Sequence, residues 1–154
     1  KRGYNISIKL RLGMNLYEKE KRVYLNLIKN VNADFFIVHS RHGTQKYNEP
    51  ADFSVYPECV DTKKIIIANG DIEKKEQVKE LKKVGLNGVM LARSAIINPA
   101  IFDYLKDKKI PNIANLKKEY EELAVKYNSP FRYRNNFFKH LGKTEKISQK
   151  VETG

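Results

Sequence analysis

Ile65-Ile66-Ile67-Ala68, followed at once by Asn69-Gly70, is the stretch of the sequence that decides the fold. Three β-branched residues in succession favour a strand that is covered on both faces, and Asn-Gly is a turn signal that ends it. After the turn, apolar residues recur at helical spacing and predict a helix over 73–84. Gly85 stands where a helix C-terminal glycine belongs. Together these residues predict one βα unit.

The same alternation continues on both sides of that unit. Further strands are predicted at residues 6–10, 35–39 and 88–92. Further helices are predicted at residues 16–31, 53–60 and 98–105. Asn98-Pro99 is expected to open the last of these helices, with Pro in its first turn. A spacing of about 25 to 30 residues between strands is typical of parallel βαβ units. Beyond residue 111 the pattern predicts helices alone, at 114–127 and 131–142.

Four βα units are half of a (β/α)8 TIM barrel, which takes eight strands and about 250 residues. The chain does not begin with Met. We therefore expect an α/β fold in which residues 1–108 form the second half of a TIM barrel, rather than a small open sheet. Residues 109–154 are expected to form an incomplete, basic α-helical region. Because a half barrel leaves two strand edges unpaired, we expect it to self-associate or to pair with a missing half.

The composition excludes several classes of protein. With 154 residues, 41% of them hydrophobic, the chain is long enough to bury a core. No apolar run approaches the roughly 20 residues of a membrane-spanning helix, and no secretory signal follows Lys1-Arg2. The single cysteine, Cys59, cannot form an internal disulfide, so we expect a reducing, cytoplasmic location. Its acidic neighbours Glu58 and Asp61 do not favour a thiolate, so Cys59 is expected to be structural.

The positive charge, +12 overall, is densest toward the C-terminal end. Residues 126–150 contain seven Lys or Arg and one acidic residue, Glu145. This density favours a polyanionic partner, because each neutralised phosphate releases counterions. Residues 131–140 interleave aromatic rings with arginines, as do surfaces that stack on bases and hold phosphates. The same rings would equally form the buried face of a helix, so both interpretations stay open.

Basic and polar residues end the four predicted strands: Lys9, His39, Asn69 and Arg93. In parallel α/β folds the ligand site lies at the carboxyl ends of the strands, so we expect these side chains to form one cationic cup. Its ligand should be an anion. The loops that begin at Asn69-Gly70 and Ala92-Arg93 offer backbone N–H groups suited to phosphate. No metal site is predicted.

Four segments carry a resemblance to a known family: Ile8-Lys9-Leu10-Arg11-Leu12-Gly13, Val38-His39-Ser40-Arg41, Ile67-Ala68-Asn69-Gly70-Asp71-Ile72, and Gly88-Val89-Met90-Leu91-Ala92-Arg93-Ser94-Ala95 with Asn98-Pro99. In order and separation they resemble the tRNA-dihydrouridine synthases, flavin enzymes that reduce uridines in tRNA. Any one segment is shared by several flavin barrels, whereas the combination is specific. The similarity extends over about residues 5–105.

The resemblance implies an eight-stranded barrel with FMN as cofactor. Carried over by motif, Lys9 would contact the isoalloxazine ring and His39 would lie beside it. A fixed cation there suits the negative charge that reduction places on the flavin. The other implied cofactor contacts are Asn69, Gly70 and Asp71 along the FMN site, and Ala92 and Arg93 at its phosphate. Arg11 and Arg41 are implied as contacts of the substrate or the flavin.

The implied reaction is the reduction of uridine to dihydrouridine in tRNA. NAD(P)H would reduce FMN, and the flavin would pass a hydride to C6 of the uridine while a cysteine protonates C5. Because a base inside a helix is out of reach, the nucleotide would be extruded into the pocket. The tRNA backbone would be held by basic residues of the C-terminal region, Arg132, Arg134 and Lys139.

The chain departs from the family pattern at the catalytic cysteine. The family's Asn-x-Gly-Cys-Pro loop does not occur in the sequence, and Cys59 lies between the second and third predicted strands, in another context. We therefore expect that cysteine upstream of Lys1 in a longer protein, and this segment alone to be inactive. Two other functions stay open: an FMN- or phosphate-binding barrel enzyme acting on a small metabolite, and a non-catalytic RNA-binding fragment.

Overall fold

The computed structural model of the chain describes residues 3–143. Contacts within the chain divide it into two units, residues 1–91 and 92–154, and each is described by itself. The first unit contains four strands: β1 (Ser7–Arg11), β2 (Phe35–His39), β3 (Ile66–Asn69) and β4 (Gly88–Met90). They pair in chain order, and every pair is parallel. The predicted parallel α/β arrangement is therefore confirmed.

The connection between β1 and β2 differs from its prediction. In place of one helix over residues 16–31 there are two, α1 (Leu16–Glu20) and α2 (Val23–Asn30). The interruption lies at Arg22, whose φ of 54° is left-handed and incompatible with a continuous helix. The prediction of a single helix is wrong because apolar periodicity does not reveal one left-handed residue.

The later connections follow the predictions more closely. A 3-10 turn at Phe53–Val55 leads into α3 (Tyr56–Asp61), between β2 and β3. Helix α4 (Lys75–Val84) joins β3 to β4. Gly85 ends α4 with a left-handed φ of 102°, as predicted from its position.

The hydrophobic core of the first unit lies on one face of the sheet. Because side chains alternate along a strand, one set of strand residues projects to this face: Leu10, Phe36, Val38, Ile66 and Ala68. Residues of α2, α3 and α4 pack with them: Tyr24, Leu25, Ile28, Tyr56, Cys59 and Leu81. Burial raises the pKa of the free thiol of Cys59 to about 12, in keeping with its expected structural role.

The described part of the second unit is helical. Its helices are α5 (Arg93–Ile97), α6 (Ile101–Leu105), α7 (Ile113–Lys126) and α8 (Phe131–His140). The prediction that the helix opens at Asn98-Pro99 is displaced by three residues, because α6 begins at Ile101, although it ends at Leu105 as predicted. Asn98 instead follows the unpredicted helix α5, and its Oδ1 accepts a hydrogen bond from the Ala100 N–H at 3.0 Å, just before α6 begins. The predicted domain boundary at residues 106–113 lies between α6 and α7, and it stays a prediction.

Candidate active site at the strand ends

Three polar side chains stand in one row across the sheet. Arg11 of β1 is the register partner of His39 of β2, and His39 is the partner of Asn69 of β3. Register partners in a parallel sheet project to the same face, so these side chains lie on the face opposite the hydrophobic core. Lys9, two residues before Arg11, projects to that face as well and is exposed. The structure therefore brings together Lys9, His39 and Asn69, three of the four residues expected at the strand ends, with Arg11 on the same face.

His39 is held in its neutral form by its surroundings. The residue is 7% exposed. Burial and the positive charges of Arg11, Lys9 and Arg41 lower the pKa of its imidazole to about 4, against a smaller opposing effect of Asp71. A neutral imidazole donates one hydrogen bond and accepts another. At neutral pH the ring is therefore a hydrogen-bonding group rather than a source of protons.

Arg41 is an almost completely buried cation, 1% exposed. Its guanidinium binds both carboxylate oxygens of Asp71, with Nη1 3.0 Å from Oδ1 and Nη2 in contact with Oδ2. Its Nε and Nη2 donate to the carbonyl oxygen of Glu49 at 3.0 Å and 2.6 Å. Nη1 also lies 3.5 Å from Nε2 of His39. Whereas the resemblance implied a contact with substrate or flavin, the structure bonds Arg41 to its own chain.

The main chain of Asn69 is held by the hydroxyl of Tyr56, a residue of the hydrophobic core. The hydroxyl oxygen of Tyr56, which is completely buried, lies 3.0 Å from both N and O of Asn69. The side-chain Nδ2 of Asn69 donates to the carbonyl oxygen of Met90 at 2.9 Å. Within residues 3–143, Oδ1 of Asn69 has no hydrogen-bond partner. Tyr56 was not among the predicted site residues, because nothing in the local sequence pattern indicates that its hydroxyl lies under the ends of two strands.

The turn after β3 packs directly against His39. Gly70 has φ of 116°, and a Cβ there would lie 3.0 Å from Cδ2 of His39 and 3.2 Å from Cβ of Ala51. Asp71 is also left-handed, with φ of 45°, and its carboxylate accepts from the Ala51 N–H at 3.2 Å besides binding Arg41. Gly70 thus allows a close approach to the imidazole, and Asp71 fixes the loop after β2.

Arg11 is oriented by the same loop. Its Nη1 donates to the carbonyl oxygens of His42 and Gly43 at 3.1 Å and 3.2 Å, and its Nη2 donates to the Tyr47 hydroxyl at 3.3 Å. The exposed ring of Tyr47 also lies 5.7 Å from Cζ of Arg11, within cation–π range. Tyr47 was not among the predicted site residues, although a single aromatic residue within the polar stretch 40–50 could have indicated a contact at the site.

The two residues expected at the flavin phosphate lie in the second unit. Arg93 is the first residue of α5 and is half-buried, while Ala92 precedes the helix and is exposed. The carbonyl oxygen of Ala92 accepts from the N–H groups of Ala95 and Ile96 at 3.1 Å and 3.2 Å. These residues form a helix start where a loop was expected. Their role at a phosphate stays a prediction.

The basic residues expected to hold RNA lie on α8. Arg132 and Lys139 are exposed, and Cζ of Arg132 lies 4.7 Å from the ring centre of Tyr133. Arg134 is half-buried, and its Nε donates to the Ser129 carbonyl oxygen at 2.8 Å. Two of these three cations are therefore available at the surface of α8.

The two interpretations of the aromatic residues in 131–140 divide between different rings. Phe137 stacks on Tyr120 of α7, with ring centres 3.8 Å apart, and Phe138 meets the same ring edge-on at 5.4 Å. Phe131 and Tyr133 are exposed. Phe137 and Phe138 therefore join α8 to α7, whereas the rings of Phe131 and Tyr133 are at the surface, where a partner can contact them.

Residues 3–143 show neither a membrane-spanning helix nor a cluster of metal ligands. In that range no helix has both the length and the apolar character needed to cross a bilayer. Over the same residues, no three His, Cys, Asp or Glu side chains are grouped so as to hold a metal ion.

Comparison with known proteins identifies the family. A family model described as "Dihydrouridine synthase (Dus)" matches residues 2–151, which is nearly the entire chain and includes all four strands. The chain belongs to the dihydrouridine synthase family. The resemblance carried by the four strand-end segments is thereby confirmed.

Individual relatives of this chain are distant and much longer. It is 25% identical over 118 residues to "tRNA-dihydrouridine(47) synthase [NAD(P)(+)]-like" of Xenopus tropicalis, covering 73% of this chain and 18% of the relative. It is 29% identical over 98 residues to "tRNA-dihydrouridine(47) synthase [NAD(P)(+)]" of Cryptococcus neoformans, covering 56% and 14%. It is 27% identical over 112 residues to "Probable tRNA-dihydrouridine synthase" of Aquifex aeolicus, covering 70% and 34%. The chain thus spans about a third or less of these relatives.

Proposed function

We propose that this chain is the carboxyl-terminal part of an enzyme that reduces uridine to dihydrouridine in tRNA, with FMN as cofactor and NAD(P)H as reductant. The observation that carries the proposal is the row of Arg11, His39 and Asn69, with Lys9 on the same face of the sheet. Family membership supports the reaction class, and the names of the relatives supply tRNA and NAD(P)(+).

The donors and acceptors on this face fit the pyrimidine edge of a flavin. That edge presents carbonyl oxygens and ring nitrogens, and it gains negative charge on reduction. The Lys9 ammonium has no partner among residues 3–143 and would stabilise that charge. Oδ1 of Asn69 would accept from a ring N–H. The half-buried side chains of Ile37 and Ile67 lie on the same face and offer an apolar surface for a ring. The bound flavin would supply hydride chemistry.

The remaining cofactor contacts follow the family pattern. Gly70 and Asp71 would line the FMN site, with Asp71 acting through Arg41 and the loop after β2. Ala92 and Arg93 would hold the phosphate, to which a guanidinium binds through two parallel N–H groups. Arg11, oriented by Tyr47, would face the substrate uracil. Arg41 has its role in positioning rather than in direct contact.

The RNA contacts proposed for the second unit rest on charge and exposed rings. Arg132 and Lys139 would bind backbone phosphates, with Arg134 held nearer the helix. Phe131 and Tyr133 are exposed beside them and would stack on unpaired bases. The target nucleotide would leave its stack to reach the strand-end face.

The catalytic acid is proposed to lie outside this chain. Cys59 is buried and its thiol pKa is about 12, so it is not suited to protonate a substrate carbon. The upstream cysteine would belong to the first half of the barrel. Residues 1–108 would form the second half of that barrel, and residues 109–154 would begin a helical region. We also propose that the protein is cytoplasmic and that this chain alone is inactive. When the first half of the barrel is absent, the unpaired strand edges would lead the chain to self-associate.

A direct test uses the complete gene product that contains this chain. We expect it to purify yellow, to retain less FMN after Arg93→Ala, and to form dihydrouridine in unmodified tRNA when NADPH or NADH is supplied. Binding of tRNA should weaken steeply with salt, and less steeply after Arg132→Gln with Lys139→Gln. Lys117→Gln, on the exposed surface of α7, is the matched control. Flavin binding without tRNA affinity would favour the small-metabolite enzyme instead.

A further inference from the structure

The side chain of Arg41 has one N–H that neither the carboxylate of Asp71 nor the carbonyl oxygen of Glu49 takes. A guanidinium carries five N–H donors and no acceptor. The carboxylate of Asp71 takes one from each of Nη1 and Nη2. The carbonyl oxygen of Glu49 takes one from Nε and shares the second N–H of Nη2 with the carbonyl oxygen of Tyr47, 3.3 Å away. The fifth, on Nη1, faces Nε2 of His39 at 3.5 Å. A buried arginine is therefore aimed at a ring nitrogen of the candidate active site.

This contact determines which nitrogen of His39 carries the proton. Because Arg41 only donates, Nε2 has to accept, and the proton of the neutral ring is on Nδ1. Gly70 packs against the Cδ2 edge of the ring and so limits its rotation. Nδ1 has no hydrogen-bond partner within residues 3–143. Every completely buried polar side-chain atom among these residues does have a partner, so Nδ1 is not one of the completely buried atoms. Nδ1 is therefore accessible from outside the protein.

The charges around the ring act in the same direction. Arg11 and Lys9 on β1 and Arg41 in the loop after β2 disfavour an imidazolium, and Asp71 in the loop after β3 opposes them more weakly. Asp71 is also neutralised by its ion pair with Arg41. The ring accordingly has a pKa of about 4.

We infer that Arg41, held by Asp71 and Glu49, is a positioning residue that fixes His39 as a neutral imidazole with its proton on Nδ1. Resting on the proposed function, this makes His39 a hydrogen-bond donor to a carbonyl or other acceptor of the bound ligand. A ring oriented in this way stabilises negative charge on that acceptor without giving up its proton. Arg41 contributes through His39 and does not itself touch the ligand.

The test measures the histidine ring nitrogens by NMR in the complete gene product. With ¹⁵N label in histidine only, the chain contributes three residues, and His39→Gln assigns the signal of interest. We expect a protonated Nδ1, an unprotonated Nε2, and no titration of His39 between about pH 5.5 and 8. A ring protonated on Nε2, or one that titrates near 6.5, would overturn the inference. This readout needs neither flavin nor tRNA, so it stands or fails separately from the proposed enzymatic activity.

Variants at residue 41 separate positioning from bulk packing. Arg41→Met combined with Asp71→Asn removes both charges of the pair, whose effects on the His39 pKa oppose each other, so we expect only a small rise of its titration midpoint but both tautomers populated. Arg41→Lys keeps the charge and should keep the midpoint low. Arg22→Gln, which removes a surface ion pair with Glu58, should change neither. An unchanged tautomer in the double variant would overturn the role of Arg41. If that variant does not fold, the ¹⁵N chemical shifts of His39 in the unsubstituted protein still decide which ring nitrogen carries the proton.

Discussion

The backbone of Gly70 runs so close to the ring of His39 that a Cβ at residue 70 would lie 3.0 Å from Cδ2. The two residues come from the ends of neighbouring strands, β3 and β2. Since Gly70 also has φ of 116°, both its conformation and its lack of a side chain are required here. The position of the imidazole is therefore coupled to the turn that follows β3.

Replacing Gly70 by Ala tests this coupling. The added Cβ meets the His39 ring and Ala51, and the left-handed φ adds strain, so we expect a loss of about 1–3 kcal/mol in the free energy of unfolding. Urea denaturation measures it. Gly88→Ala is the control, because Gly88 is not left-handed and its Cβ would meet the terminal methyl of Ile67 at 3.1 Å. Equal effects of the two substitutions would contradict the coupling.

The ion pair between Arg41 and Asp71 is expected to stabilise the first unit strongly. Asp71→Asn leaves the charge of Arg41 buried without its counterion, which costs about 3–5 kcal/mol. Asp52→Asn is a matched control, because the Asp52 side chain is as exposed as that of Asp71, at 30%, while its partner Lys19 is much less buried than Arg41. We expect the control to cost about 1 kcal/mol or less. Thermal or urea unfolding distinguishes these values.

The lowered pKa of His39 predicts a pH dependence of stability. The folded chain binds the His39 proton with a pKa of about 4 and the unfolded chain with the ordinary value of 6.5. The unfolded state therefore takes up more protons between these values, and stability rises with pH there. We expect His39 to make its full contribution to the free energy of unfolding above about pH 6.5. About 3 kcal/mol of that free energy should be lost as the pH falls to about 4. In His39→Gln this contribution should be absent, so the free energy of unfolding should fall less over the same pH range.

Cys59 is expected to be unreactive in the folded protein. Its thiol is buried and its pKa is raised to about 12, so the thiolate that reacts with alkylating agents is scarce at pH 8. Alkylation by iodoacetamide, followed by mass spectrometry, should be at least about a hundredfold slower without urea than with it. Rapid native alkylation would show that Cys59 is accessible and reopen its chemical role.

Much of the fold follows from local sequence signals. β-Branched runs such as Ile65-Ile66-Ile67 and the cap at Gly85 predict the strands and helix ends, and their spacing predicts parallel pairing. The left-handed Arg22 and the helix start at Arg93 were not predictable, because each depends on tertiary packing that overrides local periodicity.

The candidate site was predictable as a set of residues but not as a network. Period-two alternation and strand-end position identify Lys9, His39 and Asn69 as neighbours. By contrast, the burial of Arg41 and the hydroxyl of Tyr56 under the strand ends depend on how the loop after β2 folds back. An arginine in a polar loop is normally solvated, and the sequence contains no local signal that this one is not.

The most direct test of the central claim is a flavin titration of the complete gene product and two lysine variants. Lys9 lies on the proposed flavin face, whereas Lys29 is exposed on α2, on the side of the sheet that carries the core. Quenching of FMN fluorescence gives the dissociation constant. We predict that Lys9→Met raises it at least about tenfold and that Lys29→Met leaves it unchanged. Equal affinities for the two variants would contradict the assignment of this face to the flavin.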